Sequence, residues 1–434
     1  MGTPQEIAKM VYRLASARRL AEEASRQAPD DLRAQFGAAS AFRLTGAHDK
    51  ALIHYERAAQ LAPKNPMVLQ ELAVAQEYAG RTDAAIETYK RVLALPGDHY
   101  KAFYGLASLS KQTWAGNLVS KLEAEFDKPD AEGERSLYLG HALAKAYEEL
   151  GDVRASFDWL TRGKRTLAKR HPYSDERAQH FLSMAIETMR APESATGGHS
   201  SAEPIFIVGL PRTGTTLVDR ILSSHRDVVS AGELTNFAEL ERLLSPRPDM
   251  AELGRLYIES TRPLTGSKPR FTDKDPSNYN RAGLIHRALP NARIICLRRD
   301  RLDACLSNFR QIFSPADRYY DYSFTLEGTA KKCANFELLA EHWSKVLPAS
   351  RYMEVRYEAL VADQEAVTRA LLSFCDLPWD ENCLAFHENR TPVATPSAGQ
   401  VRSKIYTSAV GRAQEYGELL EPAREVFRAA LGRH

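Results

Sequence analysis

The hydrophobic positions of this chain follow a long helical repeat in the first half and short apolar runs mixed with helical stretches in the second. Residues 29–95 repeat with a period of 34 residues. Five positions recur at that spacing: Ala39, Gly46, Ala51, Tyr55 and Leu61 in one unit, and Ala73, Gly80, Ala85, Tyr89 and Leu95 in the next. Small residues let paired helices approach, and glycine ends the first helix of each pair. The pattern therefore predicts stacked helix–turn–helix units.

The period and the recurring residues resemble the tetratricopeptide repeat, whose units stack into a solenoid. An irregular third unit is predicted from about Tyr100 and a further unit over residues 137–164, with a polar loop over residues 127–134 between them. Such arrays bind other proteins along one face. We expect this array either to bind a protein partner or substrate, or to act as a scaffold that packs against the rest of the chain or supports a dimer.

Short apolar runs alternate with helical patterns after residue 204. Strands are predicted over residues 205–208, just before Lys274, over 292–299 and over 352–356. Helices are predicted over residues 235–261, 279–289, 303–312 and 364–375. This alternation is typical of a parallel sheet covered by helices on both faces.

These patterns predict a fold of the α + α/β class with two domains. Residues 1–190 form an N-terminal α-helical solenoid, and residues 204–434 form a three-layer, P-loop-like α/β domain with a parallel sheet. The stretch between them, residues 191–203, is rich in Gly, Ser, Ala and Pro, which is typical of a linker.

The turn after the first predicted strand is the part of the sequence that most clearly indicates chemistry. A buried strand, a turn from Gly209 to Gly214 and a helix is the layout that holds a phosphate on backbone N–H groups at a helix N-terminus. The two glycines have the spacing of the nucleoside-triphosphate P-loop, but Thr215-Thr216 stands where that loop has a lysine followed by Ser or Thr. Ordinary ATP or GTP hydrolysis is therefore disfavoured, while a 5′-phosphate group still fits.

Three basic residues follow the ends of predicted strands. Arg212 lies in the first turn, Lys274 follows a short strand, and Arg299 ends the next apolar run. The carboxyl ends of parallel strands meet at one edge of the sheet, where ligands bind in such folds. We therefore expect these three side chains to collect at one site.

Composition narrows the function classes. The chain has 434 residues, of which 44% are hydrophobic, as in globular proteins. Its formal net charge of +2 is nearly balanced and does not indicate nucleic-acid binding. No apolar run has the length of a membrane span, and residues 1–14 lack the apolar core of a signal peptide. Five cysteines occur late in the chain without a CxxC pair: Cys296, Cys305, Cys333, Cys375 and Cys383. We expect reduced thiols in a cytoplasmic protein.

Five motifs in order resemble the sulfotransferase family that uses 3′-phosphoadenosine 5′-phosphosulfate. They are the loop from Gly209 to Thr216, Lys274-Asp275-Pro276, Arg299 with Ser307 eight residues later, Tyr357-Glu358, and Ser403-Lys404-Ile405 followed by Thr407 or Ser408. The resemblance covers roughly half of the chain. It is greatest to the tyrosylprotein sulfotransferase branch and to bacterial proteins that join such a domain to tetratricopeptide repeats.

The resemblance implies a role for each motif. The 5′-phosphosulfate is expected on Arg212, Thr213, Gly214, Thr215 and Thr216, and the 3′-phosphate on Arg299 and Ser307. Tyr357, Ser403 and Lys404 are further cofactor-binding residues. Lys274 is expected to stabilise the leaving oxygen, with Arg212 also on the reacting group. No metal ion is expected.

The resemblance also implies a general base for the acceptor hydroxyl. Glu233 lies 21 residues after Arg212 (233 − 212 = 21), where the family has its glutamate base. His225 is the alternative, because other sulfotransferases use a histidine. Glu233 is the preferred residue.

Two other functions stay open at the level of sequence. One is a divergent P-loop nucleotide kinase or NTPase, and the other is a repeat protein that binds partners beside an inactive nucleotide domain. The acceptor is not readable, although the branch resemblance favours a tyrosine or another hydroxyl of a protein or peptide over a small molecule.

Overall fold

The computed structural model describes residues 3–189, 197–246, 248–389, 391, 400–405 and 409–432. Its contacts divide the chain into two compact units that do not follow chain order. The sheet unit comprises Met1–Arg19, Asp175–Asp300 and Asn335–Val410. The repeat unit comprises Leu20–Ser174, Arg301–Ala334 and Gly411–His434. These units are sets of contacting residues, so the predicted domain limits 1–190, 191–203 and 204–434 stay a prediction.

Helices account for most of the described chain. In chain order they are α1 (Pro4–Val11), α2 (Arg13–Gln27), α3 (Leu32–Leu44), α4 (His48–Leu61), α5 (Pro66–Tyr78), α6 (Thr82–Leu93), α7 (Tyr100–Leu109), α8 (Val119–Phe126), α9 (Glu134–Glu149), α10 (Val153–Arg170), α11 (Asp175–Glu187), α12 (Thr215–Ser223), α13 (Asn236–Leu244), α14 (Met250–Thr265), α15 (Ala282–Ala288), α16 (Arg301–Phe309), α17 (Leu326–Val346), α18 (Tyr357–Ala362), α19 (Gln364–Phe374) and α20 (Glu421–Leu431). Among the described residues, no helix is long and apolar enough to cross a membrane.

The helical repeat prediction is confirmed. Helices α3 and α4 form one antiparallel pair and α5 and α6 the next, and Gly46 and Gly80 stand in the left-handed region (φ 76° and 73°) just after the first helix of each pair. Tyr55 and Tyr89 are fully buried at matching places. The close approach of α9 and α10 depends on glycine, because a Cβ on Gly140 would lie 2.7 Å from Gly163 Cα.

The sheet unit contains a parallel sheet, as predicted. Its strands are β1 (Pro204–Gly209), β2 (Val228–Ser230), β3 (Arg270–Asp273), β4 (Arg293–Arg298) and β5 (Tyr352–Arg356). They lie in the order β2-β3-β1-β4-β5, and all pairs are parallel. The central strand β1 is buried along its whole length, which explains its unbroken apolar sequence.

The structure differs from the sequence prediction at three places in the sheet unit. The predicted helix 235–261 is two helices, α13 and α14, because prolines at 246 and 248 cannot continue a helix and Asp249 caps the second one by accepting from the Glu252 N–H at 3.0 Å. Strand β2 was not predicted. The predicted helix 279–289 begins as a 3₁₀ turn, Pro276–Arg281, before α15.

The first residues of the chain fold with the sheet unit. The Tyr12 hydroxyl donates to Glu259 on α14, and Arg13 pairs with Glu239 on α13 at 2.8 Å. Residues 190–196 of the predicted linker, and Thr407 and Ser408 of the last motif, lie outside the described residues.

Candidate active site

The carboxyl edge of the sheet carries one polar residue from each strand. Arg212 follows β1, Glu233 follows β2, Lys274 follows β3, Arg299 follows β4 and Tyr357 follows β5. The strand order places them in the sequence Glu233, Lys274, Arg212, Arg299, Tyr357 along the edge. Neighbouring strands are about 4.8 Å apart, so the row spans roughly 19 Å. The structure thus brings the three predicted basic residues to adjacent strand ends.

The loop between β1 and α12 has the backbone of an anion cradle. Gly209 (φ 150°), Arg212 (φ 67°) and Gly214 (φ 102°) all have positive φ, which turns the chain sharply from strand to helix. The Thr213 hydroxyl donates to the Leu210 carbonyl at 2.7 Å and so braces the loop from inside. Thr213 therefore contributes its backbone to any ligand, because its side chain is buried and already bonded.

Helix α12 begins directly at the end of this loop. Its first residues, Thr215 and Thr216, are buried. The first N–H groups of a helix have no partner within the helix, and they carry the positive end of the helix dipole. A phosphate or sulfate at this point would meet those N–H groups, with Arg212 beside it as a cation.

Tyr357 joins the loop to the next strand end. A Cβ on Gly214 would lie 2.8 Å from Tyr357 Cδ2, so only glycine leaves room for the ring. On another side of the ring, the Arg299 guanidinium lies 4.8 Å from its centroid. Arg299 also donates to the Arg212 carbonyl at 3.1 Å and to the Ala409 carbonyl. The glycine, the tyrosine and the arginine therefore form one packed group.

Lys274 and Glu233 form an ion pair at the other end of the row. Lys274 Nζ donates to Glu233 Oε1, and the Lys274 backbone N–H donates to the Gly232 carbonyl at 2.8 Å. The lysine side chain is 2% exposed, whereas the glutamate side chain is 47% exposed. The buried cation is thus neutralised by a carboxylate that still faces solvent.

A buried carboxylate, Asp219, ties three elements together behind this pair. It accepts from the Ser230 hydroxyl of β2 at 3.0 Å and from the Thr272 hydroxyl of β3. Burial raises the pKa of Asp219, and these two hydrogen bonds and the Lys274 charge oppose the shift. Asp219 thereby fixes α12 to the strands that carry the ion pair.

A second buried carboxylate, Asp273, lies directly before the lysine. It accepts from the Tyr257 hydroxyl of α14 at 2.7 Å and from the Asp275 N–H at 3.1 Å. Burial, followed by the charge of Asp275, raises the pKa of Asp273 to about 8. Near neutral pH the buried Asp273 is therefore held largely in its protonated form.

The raised pKa of Asp273 predicts a pH-dependent stability. Its unfolded pKa is about 3.9, so between pH ~4 and ~8 the unfolded chain loses a proton that the folded chain keeps. Stability present at low pH is lost as pH rises through this window. We expect Asp273→Asn to gain stability relative to the unmodified protein from pH 5 to pH 8, by up to about 1.4 kcal/mol per pH unit. Urea unfolding at both pH values measures this, and parallel pH curves would contradict it.

His225 forms hydrogen bonds with backbone groups outside the row of strand-end residues. Its Nδ1 accepts from the Asp227 N–H at 3.0 Å, and its Nε2 lies 3.0 Å from the Pro378 carbonyl. The side chain has no exposed surface. Both ring nitrogens are used to hold backbone, which is a structural role.

The remaining predicted residues, Ser307, Ser403 and Lys404, lie on two different segments. Ser403 and Lys404 are exposed, just after Val401, which packs against Leu217 of α12. Ser307 is half-buried on α16, in the repeat unit. The predicted roles of these three residues stay predictions.

The donors at the sheet edge are of the kind that bind phosphate or sulfate oxygens. In the described part of the chain, no group of three or more His, Cys, Asp and Glu side chains is arranged to hold a metal. The cradle instead offers backbone N–H groups, two threonines and arginines, which suit phosphate or sulfate oxygens. The expected absence of a metal stays a prediction.

Three residues of this site were not predicted from the sequence: Asp219, Tyr257 and Asp273. The two aspartates are polar residues among neighbours that are buried. Asp219 lies among buried residues of α12, and Asp273 ends a buried strand. A polar side chain on an apolar face is a weak signal that partners converge there, but it does not name them.

Models of two protein families match this chain. Residues 204–253 and 247–381 match the model of the sulfotransferase family. Residues 13–66 and 68–98 match models of the tetratricopeptide repeat.

Several known proteins are similar to this chain. An uncharacterised protein of Aquifex aeolicus (strain VF5) is 29% identical over 389 residues, which cover 84% of this chain and 51% of the relative. Protein-tyrosine sulfotransferase A of Caenorhabditis elegans is 26% identical over 226 residues, which cover 46% of this chain and 57% of the relative. The chain thus spans about half the length of these relatives. The sulfotransferase domain of the Synechococcus PCC 7002 olefin synthase gives a TM-score of 0.38 at 18% identity, over 55% of this chain and 96% of that one.

Proposed function

We propose that the part of the chain that matches the sulfotransferase family transfers a sulfuryl group from 3′-phosphoadenosine 5′-phosphosulfate to an acceptor hydroxyl. The observation that carries the proposal is the order of side chains along the sheet edge. A solvent-facing carboxylate, a buried lysine, an arginine-bearing anion cradle and a second arginine follow one another on adjacent strands. That order matches the order of groups in an in-line transfer, from base to nucleotide.

Each end of the nucleotide has its own binding residues in this proposal. The 5′-phosphosulfate binds the loop 209–216, where Arg212 supplies charge and the backbone N–H groups supply directed donors. Arg299 binds the 3′-phosphate together with Ser307, whose assignment comes from the sequence alone. Tyr357 holds Arg299 and Gly214 in fixed positions, and Ser403 and Lys404 contact the nucleotide from the late segment.

When bound, the nucleotide supplies an activated sulfuryl group and a phosphate leaving group. Glu233 takes the proton from the acceptor hydroxyl. At the same time the acceptor oxygen bonds to sulfur, and the bond between sulfur and the bridging oxygen of the nucleotide breaks. Lys274 stabilises the charge that develops on that bridging oxygen. Adenosine 3′,5′-bisphosphate and the sulfated acceptor are the products, so atoms and charge balance without a metal.

The contacts of the two candidate bases favour Glu233 over His225. Glu233 is half-exposed beside Lys274, where a substrate hydroxyl has access. His225 is enclosed, and both of its nitrogens already hold backbone groups. A base needs hydrogen-bond reach to the substrate, which supports Glu233.

We propose a protein or peptide hydroxyl, with tyrosine first, as the acceptor. The support is the similarity to a protein-tyrosine sulfotransferase. The repeats are proposed to bind a protein partner or substrate. In the described part of the chain the five cysteines are buried and form no disulfide, which supports the cytoplasm as the proposed compartment.

Calorimetric titration with adenosine 3′,5′-bisphosphate, with ADP as the comparison, tests the proposed function. We expect the bisphosphate to bind at least roughly tenfold more tightly than ADP, because the 3′-phosphate adds charge-assisted hydrogen bonds. Arg299→Lys keeps a cation but loses the planar fork, so we expect it to remove most of that preference.

Arg301→Ala is the matched control, because it removes a neighbouring arginine with no proposed role. Equal binding of the bisphosphate and ADP would overturn the proposed co-substrate. Tighter binding of Mg-ATP would favour a nucleotide kinase, and no binding of any nucleotide would favour a repeat protein with an inactive second domain.

A further inference from the structure

A fully buried lysine in the helical repeats has no place in the chemistry described so far. Lys164 lies on α10 and is 1% exposed. Its Nζ donates to the Phe309 carbonyl, to the Ser323 carbonyl at 2.7 Å and to the Gln311 carbonyl at 3.4 Å. Three carbonyl oxygens around one nitrogen match the three N–H donors of an ammonium group.

The main acceptor of Lys164 is the end of another helix. Phe309 is the last residue of α16, and the last carbonyls of a helix have no partner within it. The negative end of the helix dipole also stabilises a cation at that position. The ammonium lies 4.6 Å from the centre of the Phe309 ring, which adds a cation–π contact. Lys164 therefore caps α16 from the repeat helices.

Further contacts from the same repeat pair hold the same end of α16. Glu148 of α9 pairs with Arg310, the residue after α16, and with Arg412. Phe157 of α10 packs against Phe309 with the ring centres 5.6 Å apart. Helix α16 is thus anchored at its C-terminal end by the last pair of repeat helices.

Ser307 lies one turn or less from this anchored end, two residues before Phe309. Ser307 and Phe309 belong to one short helix, so a rotation or shift of α16 would move the Ser307 hydroxyl directly. Burial lowers the pKa of Lys164 to about 7. A buried cation is costly unless its hydrogen bonds are complete, and the three carbonyl groups supply those hydrogen bonds to Lys164.

We propose that Lys164 is a positioning residue for the 3′-phosphate of the nucleotide, which fixes α16 and with it Ser307. This inference rests on the proposed function, in which Ser307 contacts that phosphate. It gives the repeats a part in co-substrate selection, in addition to any partner that they bind.

The test compares two ligands that differ in the 3′-phosphate, adenosine 3′,5′-bisphosphate and adenosine 5′-phosphate. We expect Lys164→Met to lower the affinity for the bisphosphate about tenfold and to leave the affinity for the monophosphate unchanged. Ser307→Ala should lower the same ratio. The double variant should have the ratio of Ser307→Ala alone, because Lys164 acts through that residue.

Leu72→Ala is the matched control for stability, because it opens a cavity in the repeats at a residue of α5 that is buried in another part of their core. It should lower the melting temperature and leave the affinity ratio unchanged. If the methionine variant does not fold, Lys164→Gln, which keeps two N–H donors, is expected to lower the ratio by a smaller factor.

The outcomes separate the inference from the proposed function. If the unmodified protein has no preference for the bisphosphate, the proposed function fails. If it has that preference and folded Lys164→Met or Lys164→Gln retains the full ratio, the role of Lys164 is overturned while the proposed function stands.

Discussion

We expect Glu233→Gln to lower kcat by roughly 10²- to 10⁴-fold, because an amide cannot accept the acceptor's proton. The affinity for adenosine 3′,5′-bisphosphate should stay within about twofold, since Glu233 stands at the far end of the strand-end row from Arg299. Glutamine is the informative substitution, because its amide oxygen still accepts from Lys274 Nζ. Alanine would leave the buried ammonium without its carboxylate.

Turnover is measured as transfer of radiolabelled sulfate from 3′-phosphoadenosine 5′-phosphosulfate to a tyrosine-containing peptide. Glu239→Gln is the matched control, because it removes a glutamate of similar exposure that pairs with Arg13 rather than with Lys274. His225→Asn should lower stability through its lost backbone contacts and leave kcat unchanged in the folded fraction. Normal kcat in Glu233→Gln together with loss in His225→Asn would reverse the assignment.

The sheet and its site could be predicted from the sequence because each signal there is local. A run such as Ile205–Val208 has to be buried on both faces, and a glycine-bounded turn after it has to reverse the chain. Parallel pairing then places the ends of such strands at one edge without further information. The structure accordingly has adjacent strand ends followed by Arg212, Lys274 and Arg299.

The side-chain partners at the site could not be predicted, because they depend on register and on long-range packing. Strand β2 has three residues, too few for a visible period, yet it carries Glu233 to the edge. The hydrogen bonds that join Asp219 to Ser230 and Thr272 link residues 11 and 53 positions apart. No local pattern contains that information.

Lys164 shows the same limit in the repeats. On the sequence it ends an ordinary helical pattern with basic residues, for which a solvated face is the usual outcome. The structure buries it, because the carbonyls that it binds belong to residues 145 or more positions later in the chain. The contact between repeat helices and the segment that holds α16 is what makes a charge acceptable there.

Lys274→Met is expected to lower kcat by roughly 10²- to 10³-fold, because the leaving oxygen loses its cation in the transition state. Its effect on stability should differ from that of Glu233→Ala. The methionine variant leaves behind a glutamate that is 47% exposed and stays hydrated, whereas the alanine variant leaves behind a lysine that is 2% exposed and stays buried. An unpaired buried charge is the costly case, at about 3–5 kcal/mol.

Urea unfolding of both variants at neutral pH checks this difference, and the peptide transfer assay gives kcat. We expect the midpoint of Lys274→Met to fall slightly, because the buried Asp219 loses a favourable charge, and the midpoint of Glu233→Ala to fall well below it. A loss of stability in Lys274→Met as large as in Glu233→Ala would mean that the lysine stabilises the fold. The drop in its kcat would then reflect a disturbed site, and the role of Lys274 in transfer would lose its support.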